Sequence, residues 1–345
     1  MANQAYPAVL WEPLDEQQVH CFLCNFHCRI KPGAVGHCQV RANQGGKLVS
    51  LNYQAICATH VDPIEKKPLF HFQPGSRSFS LAAVGCNFRC DFCQNWQISQ
   101  WPRMREELGG RACSPEEIVS AAQREGCRSI SYTYTEPTIF MELAADCGRL
   151  ARQRGLANVF VSNGYLTTAA VDFAREWLDA INVDLKGFTE EFYQKVCKAR
   201  LGPVLETLRY IARQTEIWLE VTTLVIPGLN DSAEELRGLA RFIAGELGEQ
   251  VPWHVSRFHP DFERAQTPAT PVETLELAYE LGREAGLRYI YVGNLPGAGH
   301  ESTVCPECGQ LLIERFGYRL GQFLVKAGNC PACGTAVAGK DIRKI

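Results

Sequence analysis

The sequence has little net charge and no long apolar run. Over 345 residues the formal charge is −3 at pH 7, which speaks against nucleic acid as a partner. No stretch is apolar over the roughly 20 residues needed to cross a bilayer. The first residues also lack the basic and apolar regions of a signal peptide. We therefore expect a cytoplasmic protein that has no membrane partner.

Cysteine, in contrast, is abundant, with 16 residues. In a reducing compartment, closely spaced cysteines are more often metal ligands than disulfides. Five of them are scattered, and we interpret these as small buried hydrophobic residues. The other eleven form three groups: Cys21, Cys24, Cys28 and Cys38; Cys86, Cys90 and Cys93; and Cys305, Cys308, Cys330 and Cys333.

Short apolar runs alternate with amphipathic segments through the middle of the chain. The runs predict strands buried on both faces, and the segments carry helix start signals such as the capping pair Ser232 and Glu235. This alternation predicts an α/β fold, a partial (β/α)6-type barrel, with a doubly wound open sheet as the alternative. The predicted strands cover residues 78–84, 129–134, 158–163, 180–185, 217–226, 253–258 and 288–293.

Two flanking regions do not share this alternation, so we divide the chain into three parts. Residues 1–70 are a Cys/His/Gly-rich metal-binding lobe with a lead-in, and residues 71–295 are the core barrel. Residues 301–345 contain two CxxC pairs, which are typical of a zinc ribbon or rubredoxin-like module, and zinc is the favoured metal. The glycines and polar residues of 294–302 predict a flexible linker, and hence a module that takes no part in catalysis.

The N-terminal group supplies four thiolates, with Gly33 and Gly36 available for tight turns. Zinc or a second iron–sulfur cluster would satisfy these thiolates, and His27 could replace one of them. We favour zinc. Without a metal, so small a lobe would struggle to fold.

The middle group stops at three cysteines. It follows the first predicted barrel strand directly, at the edge where parallel α/β proteins place their active sites. Three thiolates can bind three irons of a [4Fe–4S] cluster and leave the fourth iron open, whereas an electron-transfer cluster normally has four cysteines. A structural zinc site with a fourth ligand from elsewhere is the alternative.

The pattern C-x3-C-x-Φ-C, here Cys86, Cys90, Phe92 and Cys93, resembles the signature of the radical S-adenosylmethionine (radical SAM) superfamily. The resemblance implies that the open iron binds SAM. It also implies that an electron from the cluster cleaves SAM into methionine and a 5′-deoxyadenosyl radical, which abstracts hydrogen from a substrate.

Two further stretches resemble the AmmeMemoRadiSam system radical SAM enzymes, a group close to the pyruvate formate-lyase activating enzymes. They are "CFLCNFHCRIKPGAVGHCQVRANQGGKLVSLNY" (21–53) and "DPIEKKPLFHFQPGS" (62–76). The resemblance implies Memo-like proteins as partners and a reductant such as flavodoxin or ferredoxin. It leaves the substrate open between a glycine in a partner protein and a small molecule.

Polar residues at the ends of successive predicted strands complete the candidate site. Glu136 stands where the superfamily usually has Gly-Gly-Glu, and we expect its carboxylate to accept hydrogen bonds from the SAM ammonium group. His254 and Arg257 are candidates for the substrate side or a proton donor, with a core histidine and a surface arginine as the alternative. The predicted SAM contacts are Phe92, Thr135, Glu136, Ser162, Asn163, Asp184, Lys186 and, against adenine, Val225.

These patterns support two hypotheses of different classes. The first is a radical SAM enzyme, and the second is a non-catalytic metalloprotein that serves electron transfer or scaffolding. The missing fourth cysteine and the polar strand ends favour the enzyme, because a pure electron carrier needs neither.

Overall fold

The computed structural model describes residues 5–105, 107–295 and 299–343. Its first part is a small lobe whose strands are β1 Tyr6–Pro7, β2 Trp11–Pro13, β3 Val19–Cys21, β4 Cys28–Ile30, β5 Arg41–Gln44 and β6 Lys47–Ser50. They form two antiparallel sheets, one of β2, β3 and β4 and the other of β1, β6 and β5. The β3–β4 pairing places Cys21 directly opposite Cys28.

A large sheet follows, with strands β7 Ile56–Pro63, β8 Arg77–Ala83, β9 Ser129–Tyr132, β10 Ala157–Ser162, β11 Ala180–Asp184, β12 Trp218–Val225, β13 Trp253–Arg257 and β14 Ile290–Gly293. Strands β8 to β14 run parallel and lie side by side in chain order, and β7 pairs antiparallel with β8. A doubly wound sheet reverses its strand order at a switch point. The order found here does not reverse, which is the order of barrel-type folds. All seven predicted strands are present, with ends within two residues of the prediction.

The α-helices are α1 Trp96–Ser99, α2 Trp101–Met104, α3 Pro115–Arg124, α4 Met141–Gln153, α5 Thr168–Ala174, α6 Glu190–Phe192, α7 Leu201–Gln214, α8 Ala233–Phe242 and α9 Val272–Glu284. Each of the six connections between the parallel strands contains at least one helix, as the predicted six βα units require. Ser232 begins α8 as predicted, since its side chain accepts a hydrogen bond from Glu235 N at 3.2 Å. Among the described residues, no helix combines the length and apolar character of a membrane span.

The side chain of Trp177 anchors one of these helices to the sheet. It is fully buried and packs at steep angles against Tyr132 and Phe160, with ring centroids 6.1 and 5.6 Å away. A Cβ atom on Gly148 of α4 would lie 2.4 Å from the same indole. Glycine is therefore needed at this position for α4 to pack so closely.

The C-terminal part is a three-stranded antiparallel sheet of β15 Thr303–Val304, β16 Leu311–Phe316 and β17 Arg319–Phe323. Contrary to the expected loose appendage, it is docked on the large sheet. Arg315 is almost fully buried and donates hydrogen bonds to Phe70 O and Thr303 Oγ1 at 2.8 and 2.7 Å. The contact with Thr303 lies inside the C-terminal sheet. The contact with Phe70 joins residues 245 positions apart, so local composition did not predict it. Residues 296–298 of the predicted linker lie outside the described residues, and the domain boundaries stay a prediction.

Candidate active site

A cavity of about 690 Å³ opens at the carboxyl ends of the parallel strands. The cysteine triplet reaches it from the loop after β8. Further walls come from the ends of β9 to β14, from the segment before β8 that contains Lys67, and from Tyr318 in the C-terminal part. The predicted site residues that line it are Cys86, Cys90, Phe92, Cys93, Thr135, Glu136, Ser162, Asn163, Asp184, Lys186 and His254. The structure therefore brings together most of the residues that the strand ends suggested.

The three cysteines of the triplet are spread around one side of this cavity. Their sulfurs do not all lie within 4.8 Å of one another, whereas a single zinc ion would draw its thiolates together. Cys86 Sγ accepts a hydrogen bond from Phe88 N at 3.3 Å, and Cys93 Sγ lies 3.3 Å from Ser99 Oγ. Burial raises the pKa of the Cys86 thiol. This spread fits a [4Fe–4S] cluster, in which each cysteine binds a different iron.

Glu136 joins the ends of β9 and β10. Its Oε1 accepts hydrogen bonds from Thr138 N at 3.0 Å, Thr138 Oγ1 at 2.5 Å and Ser162 Oγ at 2.8 Å, and its Oε2 accepts one from Asn163 N at 2.8 Å. Burial raises the pKa of Glu136 even though these bonds oppose the shift. A carboxylate offers about four acceptor positions, and Oε2 uses only one of its own. Glu136 thus fixes the strand ends and keeps acceptor capacity on Oε2.

Two asparagines connect this carboxylate to the triplet. Asn163 Nδ2 donates to Asn87 Oδ1 at 2.7 Å and lies 3.9 Å from Cys86 Sγ. Asn87 is fully buried, and its Nδ2 has no hydrogen-bond partner among the described residues. A buried donor without a partner is costly. Its position beside Cys86 fits a bound group that supplies an acceptor.

Asp184 and Lys186, at the end of β11, form an ion pair that lines the cavity, with Lys186 Nζ 2.9 Å from Asp184 Oδ2. Their spacing of two residues placed them on the same side of the chain, as predicted. Lys186 Nζ also lies 5.7 Å from the centroid of the Phe92 ring. The pair and the ring form one continuous polar and aromatic surface of the cavity.

Two predicted site residues do not line the cavity. Val225 is fully buried, and Leu224 lines the wall in its place, because alternate residues of a strand face opposite sides. For the same reason His254 and Ser256 face the cavity while Arg257 does not. The Arg257 guanidinium instead donates from Nε to Thr270 O at 2.8 Å and so holds a neighbouring loop.

Sequence reasoning missed the partner of His254. Glu220 is fully buried, and its Oε2 lies 2.7 Å from His254 Nε2. It also accepts hydrogen bonds from Phe70 N and His71 N at 3.0 and 2.8 Å. Burial is the largest single influence and works against its charge. The hydrogen bonds from His254 and Trp218 and the nearby imidazoles of His254 and His71 together outweigh burial, so the pKa of Glu220 lies below its ordinary value. An acidic residue in the middle of an otherwise apolar strand was the available signal.

Sequence reasoning also assigned no role to residues 62–68, although their motif supported the family resemblance. Lys67 Nζ pairs with Asp62 Oδ2 at 2.6 Å, and Tyr134 OH donates to the same carboxylate. Tyr134 has a φ of 62°, which is rare for a bulky residue and typical of functional sites. Burial lowers the pKa of Lys67 to about 8. Lys67 and Tyr134 form a second charged wall of the cavity.

The C-terminal cysteines form a compact group away from the cavity. Cys305, Cys308, Cys330 and Cys333 have sulfurs that all lie within 4.8 Å of one another. Two of the sulfur pairs, Cys305–Cys333 and Cys308–Cys330, are 3.5 and 3.7 Å apart. A tetrahedral ion with metal–sulfur bonds of about 2.3 Å separates its ligands by roughly 3.8 Å. These four thiolates therefore fit one metal ion.

Comparison with known proteins supports the same reading of the core. Residues 81–243 match the Radical SAM superfamily. The uncharacterized protein MJ0808 of Methanocaldococcus jannaschii is 46% identical over 332 residues, which cover 96% of this chain and 98% of that protein.

More distant similarities extend to activating enzymes and to a solved structure. The isethionate sulfite-lyase activating enzyme of Oleidesulfovibrio alaskensis is 30% identical over 49% of this chain and 56% of its own length, so the chain spans about half of that relative. The crystal structure of a radical SAM methyltransferase from Sphaerobacter thermophilus aligns with a TM-score of 0.50 and 18% identity, covering 70% of this chain and 71% of the other. At that identity the structural likeness concerns the fold alone.

Proposed function

Because the chain belongs to the radical SAM superfamily and is related to the activating enzymes of glycyl-radical enzymes, we propose that it cleaves SAM reductively at a [4Fe–4S] cluster held by Cys86, Cys90 and Cys93. When bound, this cluster supplies the electron that splits SAM into methionine and a 5′-deoxyadenosyl radical, which takes hydrogen from the substrate. The observation that carries the proposal is the position of the triplet. Cys90 is buried, Cys86 and Cys93 are half-buried, and all three line a cavity of about 690 Å³ whose described lining contains no fourth cysteine.

The chain's own residues divide the remaining work. Glu136 Oε2 accepts from the SAM ammonium group, and Asn163 and Asn87 hold the loop that carries Cys86. Asp184 and Lys186 offer one charge of each sign for the polar groups of SAM. Thr135 and Ser162 line the cavity, but their hydroxyls donate to Ala83 O at 2.7 Å and to Glu136, so they order the strand ends. Leu224 takes the place against adenine that was predicted for Val225.

His254, with its partner Glu220, and the wall of Lys67 and Tyr134 face the remaining space and form the substrate side. The similarity to activating enzymes favours a glycine residue of a partner protein as the substrate, with a small molecule as the alternative. By the same similarity the reductant belongs to the flavodoxin or ferredoxin class. The motif resemblance to AmmeMemoRadiSam system enzymes adds Memo-like proteins as partners. The cytoplasm stays the proposed compartment.

Zinc is the proposed occupant of the C-terminal cysteines, because their sulfur spacing suits one tetrahedral ion. The competing function, a non-catalytic electron carrier or scaffold, gives no account of the cavity. A carrier needs neither a space of this size nor an asparagine donor left without a partner beside its cluster.

The experiment is anaerobic reconstitution with iron and sulfide, followed by reaction with SAM and dithionite. The wild type is expected to release 5′-deoxyadenosine. Replacement of Cys86, Cys90 and Cys93 together by alanine should abolish that product while the C-terminal zinc stays bound. Cys127→Ala, which removes a buried thiol elsewhere, is the matched control and should retain the product. Undiminished product from the triple variant would refute the proposal.

A further inference from the structure

The four N-terminal cysteines surround a single small space. Cys21, Cys24, Cys28 and Cys38 line one cavity of about 10 Å³, together with Arg41, His37, Gly36 and three apolar side chains. Three of the four cysteines are buried, and Cys28 is half-buried. Their thiols are therefore directed at one enclosed centre, as expected for the ligands of one metal group.

The spacing of these thiols differs from that of the C-terminal group. Among the described residues, the C-terminal cysteines are the one set of three or more potential ligands whose atoms all lie within 4.8 Å of one another. The N-terminal cysteines share a cavity without converging to that extent, and the triplet at the active site behaves in the same way. Thiolates that bind one ion must converge, whereas thiolates of a [4Fe–4S] cluster bind four different irons. The N-terminal sulfurs thus do not converge as the ligands of one ion would, and they share this property with the triplet.

A buried cation stands beside this space. Arg41 is 2% exposed, and its Nε has no hydrogen-bond partner among the described residues. Its charge is balanced by Glu142, whose Oε1 lies 3.1 Å from Nη1. Four thiolates around a [4Fe–4S]²⁺ core carry a net charge of −2, as they do around one zinc ion. The buried guanidinium therefore suits a metal centre of either kind, and the choice between them rests on the spacing of the thiols.

The N-terminal cysteines also lie beside the active site. Arg103 Nη2 donates to His37 O at 2.9 Å and to Cys86 O at 3.0 Å, so one nitrogen bridges the chain next to Cys38 and the first cysteine of the triplet. Three aromatic rings form a second contact path between the same regions. Phe26 and Tyr165 have centroids 4.9 Å apart, and Tyr165 and Phe88 have centroids 5.1 Å apart. Phe26 stands between Cys24 and Cys28, and Phe88 stands between Cys86 and Cys90. A short contact path therefore connects the two sets of cysteines.

We propose that Cys21, Cys24, Cys28 and Cys38 hold a second [4Fe–4S] cluster that relays electrons to the cluster at the active site. The relay rests on the proposed function, because that function supplies the recipient. A reduced protein of the flavodoxin or ferredoxin class gives one electron to the N-terminal cluster, which goes from the 2+ to the 1+ state. That electron then moves to the active-site cluster, which becomes 1+ while the donor returns to 2+. No bond is made and no proton moves in this step. This proposal replaces our expectation from the sequence that the N-terminal cysteines bind zinc.

The first test uses the wild-type chain and needs no variant. After anaerobic reconstitution and desalting, iron, acid-labile sulfide and zinc are counted per chain. The proposal expects about eight irons and about eight sulfides, with about one zinc at the C-terminal cysteines. About four irons with about two zincs would overturn it.

The second test assigns the irons and measures the relay. The double variant Cys21→Ser/Cys38→Ser should lose about half of the iron, while Cys127→Ser should lose none. With reduced flavodoxin as the electron donor, the double variant should reduce its active-site cluster at least about tenfold more slowly than the wild type. With dithionite, which reaches exposed clusters directly, it should still form 5′-deoxyadenosine. Equal rates of reduction with flavodoxin would overturn the relay.

The two proposals fail in different ways. A wild type with about eight irons and no 5′-deoxyadenosine would refute the proposed function and leave the second cluster in place. A wild type that forms 5′-deoxyadenosine with about four irons would refute the second cluster alone.

Discussion

Glu136 shows how one buried carboxylate orders a site and keeps part of its capacity for a ligand. Four intrachain donors hold it, three of them on Oε1. Its pKa is raised because burial penalises the charge. A cationic ammonium group next to Oε2 would recover part of that penalty, since charge-assisted hydrogen bonds are stronger than neutral ones. Glu136 therefore acts on SAM directly and, through Ser162 and Asn163, on the loop geometry.

Replacement of Glu136 by glutamine should weaken SAM binding about tenfold or more, since a charge-assisted hydrogen bond contributes about 1.5–3 kcal/mol. Isothermal titration of the reconstituted protein with SAM would measure the change, and iron content should stay at the wild-type level. Glu235→Gln is the matched control, because Glu235 is also a partly buried carboxylate and accepts a bond from Phe188 N at 2.6 Å, but it lies outside the cavity. If Glu136→Gln and the wild type bound SAM with equal affinity, Glu136 would not bind the SAM ammonium group, and Asp184 would be the next candidate.

The buried histidine His71 gives a prediction for the pH dependence of stability. His71 is buried, and burial lowers its pKa to about 4 from the ordinary value of 6.5. Its Nδ1 donates to Ala338 O at 2.6 Å, and its Nε2 accepts from Tyr291 OH at 2.6 Å, which requires the neutral ring. The folded state thus binds the proton less well than the unfolded state. The contribution of the neutral His71 ring to the free energy of unfolding is therefore fully present above pH 6.5 and is lost as the pH falls toward 4.

The expected loss from this one group between pH 6.5 and pH 4 is roughly 3 kcal/mol. It is measured as the difference in pH dependence of urea unfolding between the wild type and His71→Gln, because carboxylates common to both cancel. His259→Gln, which removes an exposed histidine, should keep the wild-type pH dependence. The same slope in all three proteins would contradict the assignment.

At the residue scale, the sequence could predict groups that stand at strand ends in a recognisable motif. Cys86, Glu136 and Asp184 are of this kind, since the carboxyl ends of parallel strands meet at one edge. Glu220 and Tyr134 were missed for different reasons. Glu220 lies inside a strand and gains its role from His254 on a neighbouring strand, and Tyr134 gains its role from Asp62, more than seventy residues earlier.

At the scale of elements, buried parallel strands were predictable because each is a continuous apolar run. Successive side chains of a strand face opposite sides, and this alternation was harder to apply at the end of a strand. Val225 and Arg257 were expected to face the cavity, but their neighbours Leu224 and Ser256 line it instead. Strand β7 was not predicted as part of the large sheet. It pairs antiparallel with β8 through residues such as His60 and Asp62, so its polar sequence does not resemble the strands inside the sheet.

Close packing of α4 predicts that a change of glycine to alanine has opposite effects on stability at two positions. Glycine in a helix usually costs up to about 1 kcal/mol relative to alanine. At Gly148, however, an added Cβ would meet the Trp177 ring at 2.4 Å, whereas nothing lies within 4 Å of a Cβ on Gly202 in α7. Gly148→Ala should destabilise the protein by about 1–3 kcal/mol through overpacking, and Gly202→Ala should be neutral or stabilising.

Thermal and urea unfolding of the two variants would measure these changes under identical conditions. The sign of the difference matters more than its size, because Gly148 lies inside α4 whereas Gly202 lies in the first turn of α7, before Pro203. A stabilised Gly148→Ala protein would mean that α4 does not pack on Trp177 in this way.

At the scale of the whole molecule, the C-terminal part has a small core of its own and is docked against residues beside the large sheet. Its Arg315 lies against Phe70 and Tyr291, with guanidinium-to-centroid distances of 4.3 and 5.9 Å. His71 O accepts a bond from Lys340 N at 2.9 Å. Tyr318 also lines the active-site cavity. Composition indicated a separate module because CxxC pairs and glycines are local features, whereas its docking depends on contacts between residues more than two hundred positions apart.

Replacement of Arg315 by methionine should therefore destabilise the whole protein. The guanidinium pairs with Glu65 at 3.6 Å, and both side chains are fully buried. Removal of one partner leaves the other charge buried without compensation, which typically costs about 3–5 kcal/mol. Arg319→Met, which changes an exposed arginine on the adjacent strand, should have little effect. Urea unfolding would compare the three proteins.

Deletion of residues 301–345 tests the same point on a larger scale. The truncated chain would expose Phe70, Tyr289 and Tyr291, which are buried in the intact protein, and it would leave Glu65 without Arg315. We expect it to unfold at a lower temperature, to bind more of a hydrophobic dye and to form less 5′-deoxyadenosine than the full chain. Because Arg315→Met keeps the cysteines, a loss of activity in both proteins would locate the cause in docking rather than in the metal. A truncated chain with unchanged melting temperature and product yield would instead support the appendage that the sequence first suggested.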